Sequence, residues 1–176
     1  MDEIELHPYD PSWPPAYDRE AASLHGSLSA HGHARSEILH IGSTAVPGLA
    51  AKPIIDIMLV VPDLAIARSE FPAVLDALGY DFWADGPDPA RLFFVKGMPP
   101  RGPKRTHHVH VVAPEPAVLK RHVGFRDYLR AHPDIAAEYG RLKQGLATAH
   151  RNDREAYTKA KNGFVERVLT LIDGEA

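Results

Sequence analysis

"HIGSTAVPGLAAKPIIDIMLVV", residues His40–Val61, decides how this chain is read. Its closing run, "PIIDIMLVV", is apolar on both faces, as a strand in the middle of a sheet is, and yet it carries Asp56. Upstream, "GST" (42–44) directly follows the short strand "EILHIG", which Gly42 stops. A sharp turn at that point exposes backbone N–H groups, and with the Ser43 and Thr44 hydroxyls it suits a phosphate. If the two strands are neighbours, the Asp56 carboxylate returns beside the turn, where a divalent ion would bridge it to phosphate oxygens. The plainer alternative is that Gly42 only makes a turn and loop amides satisfy Asp56.

Periodicity extends the reading outward. A helix is expected from about Pro14 to His31, because Tyr17, Ala21, Leu24 and Leu28 recur in the 4-3-4 rhythm of an amphipathic face. Pro62-Asp63 ends the Asp56 strand and starts a second helix, which Gly79 stops after about Leu78. "YDFW" reads as a short strand before the turn "ADGPDP", and "RLFFVKG" and "THHVHVV" as two more, joined by a Gly/Pro-rich basic loop. Three helices follow: about Pro116 to Arg130, Pro133 to His150, and Glu155 to Ile172. The expected architecture is α+β: a mixed sheet of about five strands, helices packed on one face, and a helical C-terminal third. Residues 1–176 read as a single domain.

The bulk numbers agree with an ordinary globule. There are 176 residues, 44 % hydrophobic and 24 % charged, with a net charge of −3. Nothing in that total favours DNA, RNA or an anionic membrane. The chain has no cysteine, which excludes disulfides and thiolate metal sites. No apolar run approaches the roughly 20 residues of a membrane span, and no signal-peptide pattern opens the sequence, so a cytoplasmic protein is expected. Charge is unevenly placed, however. Between Arg91 and Pro114 stand Arg91, Lys96, Arg101, Lys104 and Arg105 with no acid among them. Such a cluster suits an anionic ligand, although a solvated loop has the same composition.

The segment "HIGSTAVPGLAAKPIIDI" resembles the signature of the GrpB family within the nucleotidyltransferase superfamily. "PYDPSWPPAYDRE", "RLFFVKG", "THHVHVV", "FRDYLRAHPDIAAEYGRLKQGLA" and "YTKAKNGFVERVL" are similar to further family motifs, in the same order over nearly the whole chain. The resemblance implies a nucleotidyltransferase-like sheet and a nucleoside triphosphate as ligand. In that superfamily a Gly-Ser turn is followed by two alternating carboxylates on the next strand and a third on a later one. They hold two divalent metals. Gly42 and Ser43 match the turn and Asp56 the first carboxylate. At the second position stands Met58, and a thioether is no ligand for Mg²⁺.

The later strand offers His108 and His110 on one face where an acid is expected. Asp56 with two imidazoles suits one softer ion such as Mn²⁺, Zn²⁺ or Fe²⁺ better than a pair of Mg²⁺ ions. Asp56 and His110 are the catalytic candidates, and Asp56, His108 and His110 the metal ligands. The same histidines also suit phosphate donation or a place in the sheet. For the nucleotide, the candidates are Gly42, Ser43, Thr44, Lys52, Lys143, Tyr157 and Lys161, the last two sharing a helix face at i, i+4. His40 and the Arg126–Asp127 pair are read as structural. Three functions stay open: a metal-dependent nucleotidyltransferase acting on a hydroxyl acceptor, a non-catalytic nucleotide- or phosphate-binding module, and a single-metal hydrolase. Family members fused to dephospho-coenzyme A kinase suggest a link to coenzyme A metabolism.

Overall fold

A computed structural model describes residues 4–84 and 88–175. Of the turn expected at 84–89, residues 85–87 lie outside the described residues. Helix α1 (Trp13–Ala30) begins with prolines in its first turn, where the missing N–H costs no helical bond. Strand β1 (Glu37–Ile41) leads into the turn, a single 3₁₀ loop over Ser43–Ala45. Strand β2 (Ile55–Val60) carries Asp56. Helix α2 (Leu64–Asp76) is capped by Asp63, whose carboxylate accepts from the amides of Ala65 and Ile66 at 2.8 and 3.0 Å. Strands β3 (Tyr80–Phe82), β4 (Arg91–Lys96) and β5 (His107–Val112) complete the sheet.

The strand order is β1-β2-β5-β4-β3, with β2 and β5 parallel and the other pairs antiparallel. Alternation then sorts the side chains. Ile55, Ile57 and Leu59 of β2, Leu92 and Phe94 of β4, and Val109 and Val111 of β5 point to one face, where Leu24, Leu28 and Trp13 of α1 and Phe71 and Leu75 of α2 complete the main core. His107 belongs to that face too, with Nε2 4.0 Å from the Glu20 carboxylate. Glu20 is buried in α1, and it accepts from the Tyr80 hydroxyl at 2.8 Å and from Lys96 at 2.7 Å. Glu20 thus shares the buried face of α1 with Trp13, Leu24 and Leu28, a place that the sequence did not single out.

The opposite face carries Asp56, Met58, His108 and His110, and the helical third closes over part of it. The helix expected at 116–130 is α3 (Pro116–Leu119), a π-helical turn (Lys120–Gly124) and α4 (Phe125–Ala131) in one continuous run. Val118, Leu119 and Val123 from this run pack on Ile41, Met58, Val60 and Val112. Helix α5 (Pro133–Ala149) follows. The single helix expected at 155–172 is two, α6 (Arg154–Ala160) and α7 (Asn162–Glu175), broken at Lys161. The apolar rhythm runs through this break, which is why the sequence hides it. No helix among the described residues is long and apolar enough to cross a membrane.

Candidate functional site

Pairing between β1 and β2 sets Ile41 opposite Asp56, so the turn that follows β1 lies beside the carboxylate. Gly42 sits at φ +74°, and a Cβ there would lie 2.5 Å from Asp56 Oδ2. Only a residue without a side chain lets the carboxylate approach so closely. The turn is fixed from below. His40 is buried, stacks on Tyr17 with ring centroids 4.5 Å apart, and its Nε2 is 3.0 Å from Thr44 Oγ1. Its carbonyl accepts from Arg126 at 2.7 Å, and Arg126 also holds Asp127 at 2.8 Å. Both were read as structural, and both pin the turn.

On the other side of β2, the parallel register sets Asp56 opposite His108 and Met58 opposite His110. Asp56, His108 and His110 each present a potential ligand atom, and these atoms lie within 4.8 Å of one another. His108 Nδ1 is 2.9 Å from Asp56 Oδ1. Burial would push the Asp56 carboxyl up, but the His108 hydrogen bond, the imidazoles and Lys52 hold it down to about 2. An ionised Asp56 makes His108 Nδ1 the donor, and Nε2 is the ring nitrogen that remains. That Nε2 is buried and has no hydrogen-bond partner among the described residues. His110 Nδ1 accepts from the Arg91 guanidinium at 3.0 Å. Burial, reinforced by Arg91, pushes the His110 imidazole down to about 3, so it is neutral. One carboxylate and two imidazoles, that of His108 with an orphaned nitrogen, make a donor set that suits a single transition-metal ion better than Mg²⁺ once His110 Nδ1 is released from Arg91.

Met58 stands where the resemblance led to the expectation of a second carboxylate. Met58 is fully buried among Ile41, Val60 and Val112.

These groups form one wall of a cleft of about 420 Å³. The facing wall comes from the loop before β2, from α5 and α6, and from Lys161 at the break that follows α6. Lys52, Lys143 and Lys161, with Tyr157, all line it, as do Gly42, Ser43 and Thr44. Thr44 turns its hydroxyl back to His40, whereas Ser43 Oγ accepts from Lys143 Nζ at 2.9 Å. Lys143 also donates to the Ala50 carbonyl. Burial lowers Lys143 to about 7 and Lys52 to about 8, with neighbouring cations adding to it, and burial lowers Lys161 as well. The Tyr157 ring lies 4.5 Å from Lys161 Nζ and 5.2 Å from Lys52 Nζ.

Three ionisable lining residues escaped sequence reasoning. Arg105 belonged to the basic stretch but was not singled out; Arg154 opens α6; His122 sits on the π-helical turn. The rest of the basic stretch disperses. Lys96 pairs with Glu20, Arg101 pairs with Asp76, and Arg91 bonds His110. Five cations (Lys52, Arg105, Lys143, Arg154 and Lys161) therefore line a cleft whose one acid is Asp56, among the described residues.

A family model described as "GrpB protein" matches residues 3–170. A UPF0157 protein of Pseudomonas aeruginosa is 48 % identical over 168 residues, covering 96 % of this chain and 67 % of its own length. A protein of Mycolicibacterium paratuberculosis named dephospho-CoA kinase is 32 % identical over 179 residues, spanning 90 % of this chain and 43 % of that one. The crystal structure of conserved protein GrpB from Enterococcus faecalis has the same fold, with a TM-score of 0.82 at 33 % identity and 96 % of each chain covered.

Proposed function

The chain belongs to the GrpB family, and from that premise we propose that its cleft binds a nucleoside triphosphate with one divalent cation and transfers a nucleotidyl group to a hydroxyl acceptor. One observation carries the reading: an N/O ligand cluster of Asp56, His108 and His110 faces five cations across a single cavity. A polyphosphate chelating a metal is the ligand whose charges match both walls. Asp56, ionised throughout the physiological range, would hold the ion with His108 and His110. When bound, the ion would polarise a phosphate oxygen as a Lewis acid. The bare backbone at Gly42 and the Ser43 hydroxyl approach the phosphates. Lys52, Lys143 and Lys161 neutralise their charge, and Tyr157 keeps the Lys52 and Lys161 ammonium groups over its ring. Manganese or zinc should serve better than magnesium, because the donor set is richer in nitrogen than in oxygen.

The buried apolar Met58 favours a second reading, a nucleotide-binding module without turnover, since two-metal chemistry has no second carboxylate to use. Release of pyrophosphate from each nucleoside triphosphate, with Mn²⁺, Zn²⁺ or Mg²⁺, separates the two. The transferase reading requires turnover that Asp56→Asn abolishes. Tight binding with no turnover under any ion establishes the module, and full activity of Asp56→Asn removes this site from the chemistry. A tie to coenzyme A metabolism has the name of one relative in its favour, which makes dephospho-coenzyme A an acceptor to test.

A further inference from the structure

A second cavity, of about 230 Å³, opens from the cleft and shares Gly42, Ser43, His122, Thr158 and Lys161 with it. Its chemistry differs from that of its neighbour. Phe125, Tyr139, Leu129, Val46 and Val165 supply apolar walls, and Asn162 stands at the rim, on the first turn of α7. Phe125 meets Tyr139 edge to face at 5.4 Å, and Tyr139 stacks on Phe164 at 4.8 Å, so aromatic surface continues behind the wall. The two arginines that reach it are engaged elsewhere: Arg121 with Glu166, Arg126 with Asp127 and the His40 carbonyl. The pocket is therefore no extension of the phosphate site. It is also too small for a whole nucleotide, since sites for small ligands start near ~300 Å³.

We propose that this pocket is a subsite for a nucleobase, which enters it from the cleft while the attached phosphates remain between the lysines and the Asp56–His108–His110 cluster. The proposal rests on the cleft being a polyphosphate site and adds to that reading a ligand orientation. A planar heterocycle suits the walls in three ways. With Phe125 and Tyr139 at right angles to each other, it packs a face on one ring and an edge on the other; its polar edge offers donors and acceptors to the Asn162 amide; and its sugar passes the Gly42–Ser43 turn where the two cavities join. An aliphatic group would gain the apolar contact but leave the Asn162 amide without use. Another phosphate would lose its hydration against apolar walls.

The test compares ligands with and without a base. Affinity for Mn²⁺-tripolyphosphate and for the α,β-methylene analogues of the four common nucleoside triphosphates is measured by calorimetry. The proposal expects at least one analogue to bind about tenfold or more tighter than tripolyphosphate, within the range of base–aromatic stacking. Val165→Phe fills the pocket without lining the cleft. It should bring that analogue down to the tripolyphosphate value and leave tripolyphosphate itself unchanged. Asn162→Ala, at an exposed position where folding is not at stake, should weaken the preferred analogue by several-fold. Equal affinity of wild type for all five ligands overturns the subsite while leaving the polyphosphate reading standing. A Val165→Phe protein that folds and keeps the preference also overturns it, as does an unaltered preference in Asn162→Ala. If wild type binds neither tripolyphosphate nor any nucleotide, the polyphosphate reading fails and the subsite falls with it.

Discussion

Replacing Gly42 with alanine is the smallest change that sets the turn against the carboxylate. The added Cβ would lie 2.5 Å from Asp56 Oδ2, against 3.4 Å for an ordinary contact, so something must move by about 0.9 Å. Asp56 is poorly placed to yield. Its strand is paired on both sides, and Oδ1 is held by His108 at 2.9 Å. Swinging the carboxylate away gives up that charged hydrogen bond, worth about 1.5–3 kcal/mol. The backbone adds its own cost, because φ +74° with ψ −172° strains any residue with a Cβ by about 1–3 kcal/mol. The combined cost is roughly 2.5–6 kcal/mol. For a chain of this size that corresponds to a Tm lower by roughly 5–24 °C.

Gly48→Ala supplies the control. Gly48 has φ +77°, yet a Cβ there meets nothing within 4 Å, so it bears the backbone cost without the clash. Thermal denaturation followed by circular dichroism should rank wild type above Gly48→Ala and Gly48→Ala above Gly42→Ala. Mn²⁺ titration followed by electron paramagnetic resonance should show affinity lowered about tenfold or more in Gly42→Ala alone, as when the support of a metal ligand is disturbed. If Gly42→Ala binds Mn²⁺ like wild type, or melts no lower than Gly48→Ala, the placement of Asp56 against the turn is refuted.

Met58→Asp, which puts back an acid on the Asp56 face, should unfold the protein rather than activate it. It loses packing worth about 2–5 kcal/mol and buries an unpaired carboxylate for several more, out of a total of about 5–15; a soluble variant melting within 3 °C of wild type contradicts this. Polyphosphate affinity should fall as pH rises from about 7 to 9, because burial lowers Lys143 to about 7 and Lys52 to about 8 and only their protonated forms attract anions. Binding near pH 7 should then take up protons, visible in calorimetry across buffers of different ionisation enthalpy; a flat profile argues against both lysines. The same shift makes the unliganded protein gain stability between about 7 and 10.5, the window in which the unfolded Lys143 keeps a proton that the folded one has lost. Asp56→Asn, nearly isosteric, should abolish Mn²⁺ binding and lower Tm by a few degrees, since a neutral hydrogen bond to His108 replaces the charged one, and undiminished binding removes Asp56 from the ligand set.

Much of this was legible because alternation and turns are local properties. The strand over 55–60 and the Gly42 turn follow from neighbouring residues, and the parity of His108 and His110 from a period of two. The break at Lys161 was marked only by the Asn162-Gly163 pair that follows it, and the apolar rhythm continuing through to Phe164 and Val168 overrode that signal, although the break helps carry Lys161 into the cleft. His122 gave no sign for a related reason: the π-helical turn that presents it depends on packing over β2, which one sequence does not display. Arg105 and Arg154 reach the cleft from distant segments, and long-range placement leaves no local pattern.

The contrast between Asp56 and Met58 shows what that packing does. They lie two residues apart on one face of β2, yet Asp56 lines the cleft while Met58 is sealed beneath Val118, Leu119 and Val123. Water is excluded at position 58, where a carboxylate would be both unsolvated and unpaired. A neutral imidazole tolerates such a place, because burial favours its uncharged form, and that form keeps one lone pair, which on His110 Nδ1 accepts from Arg91 until an ion displaces the guanidinium. His110, the neighbour of Met58 across the parallel ladder, is held neutral in this way. The helical run that covers half of this face is thus the physical reason why nitrogen, rather than a second carboxylate, is the donor available beside Asp56.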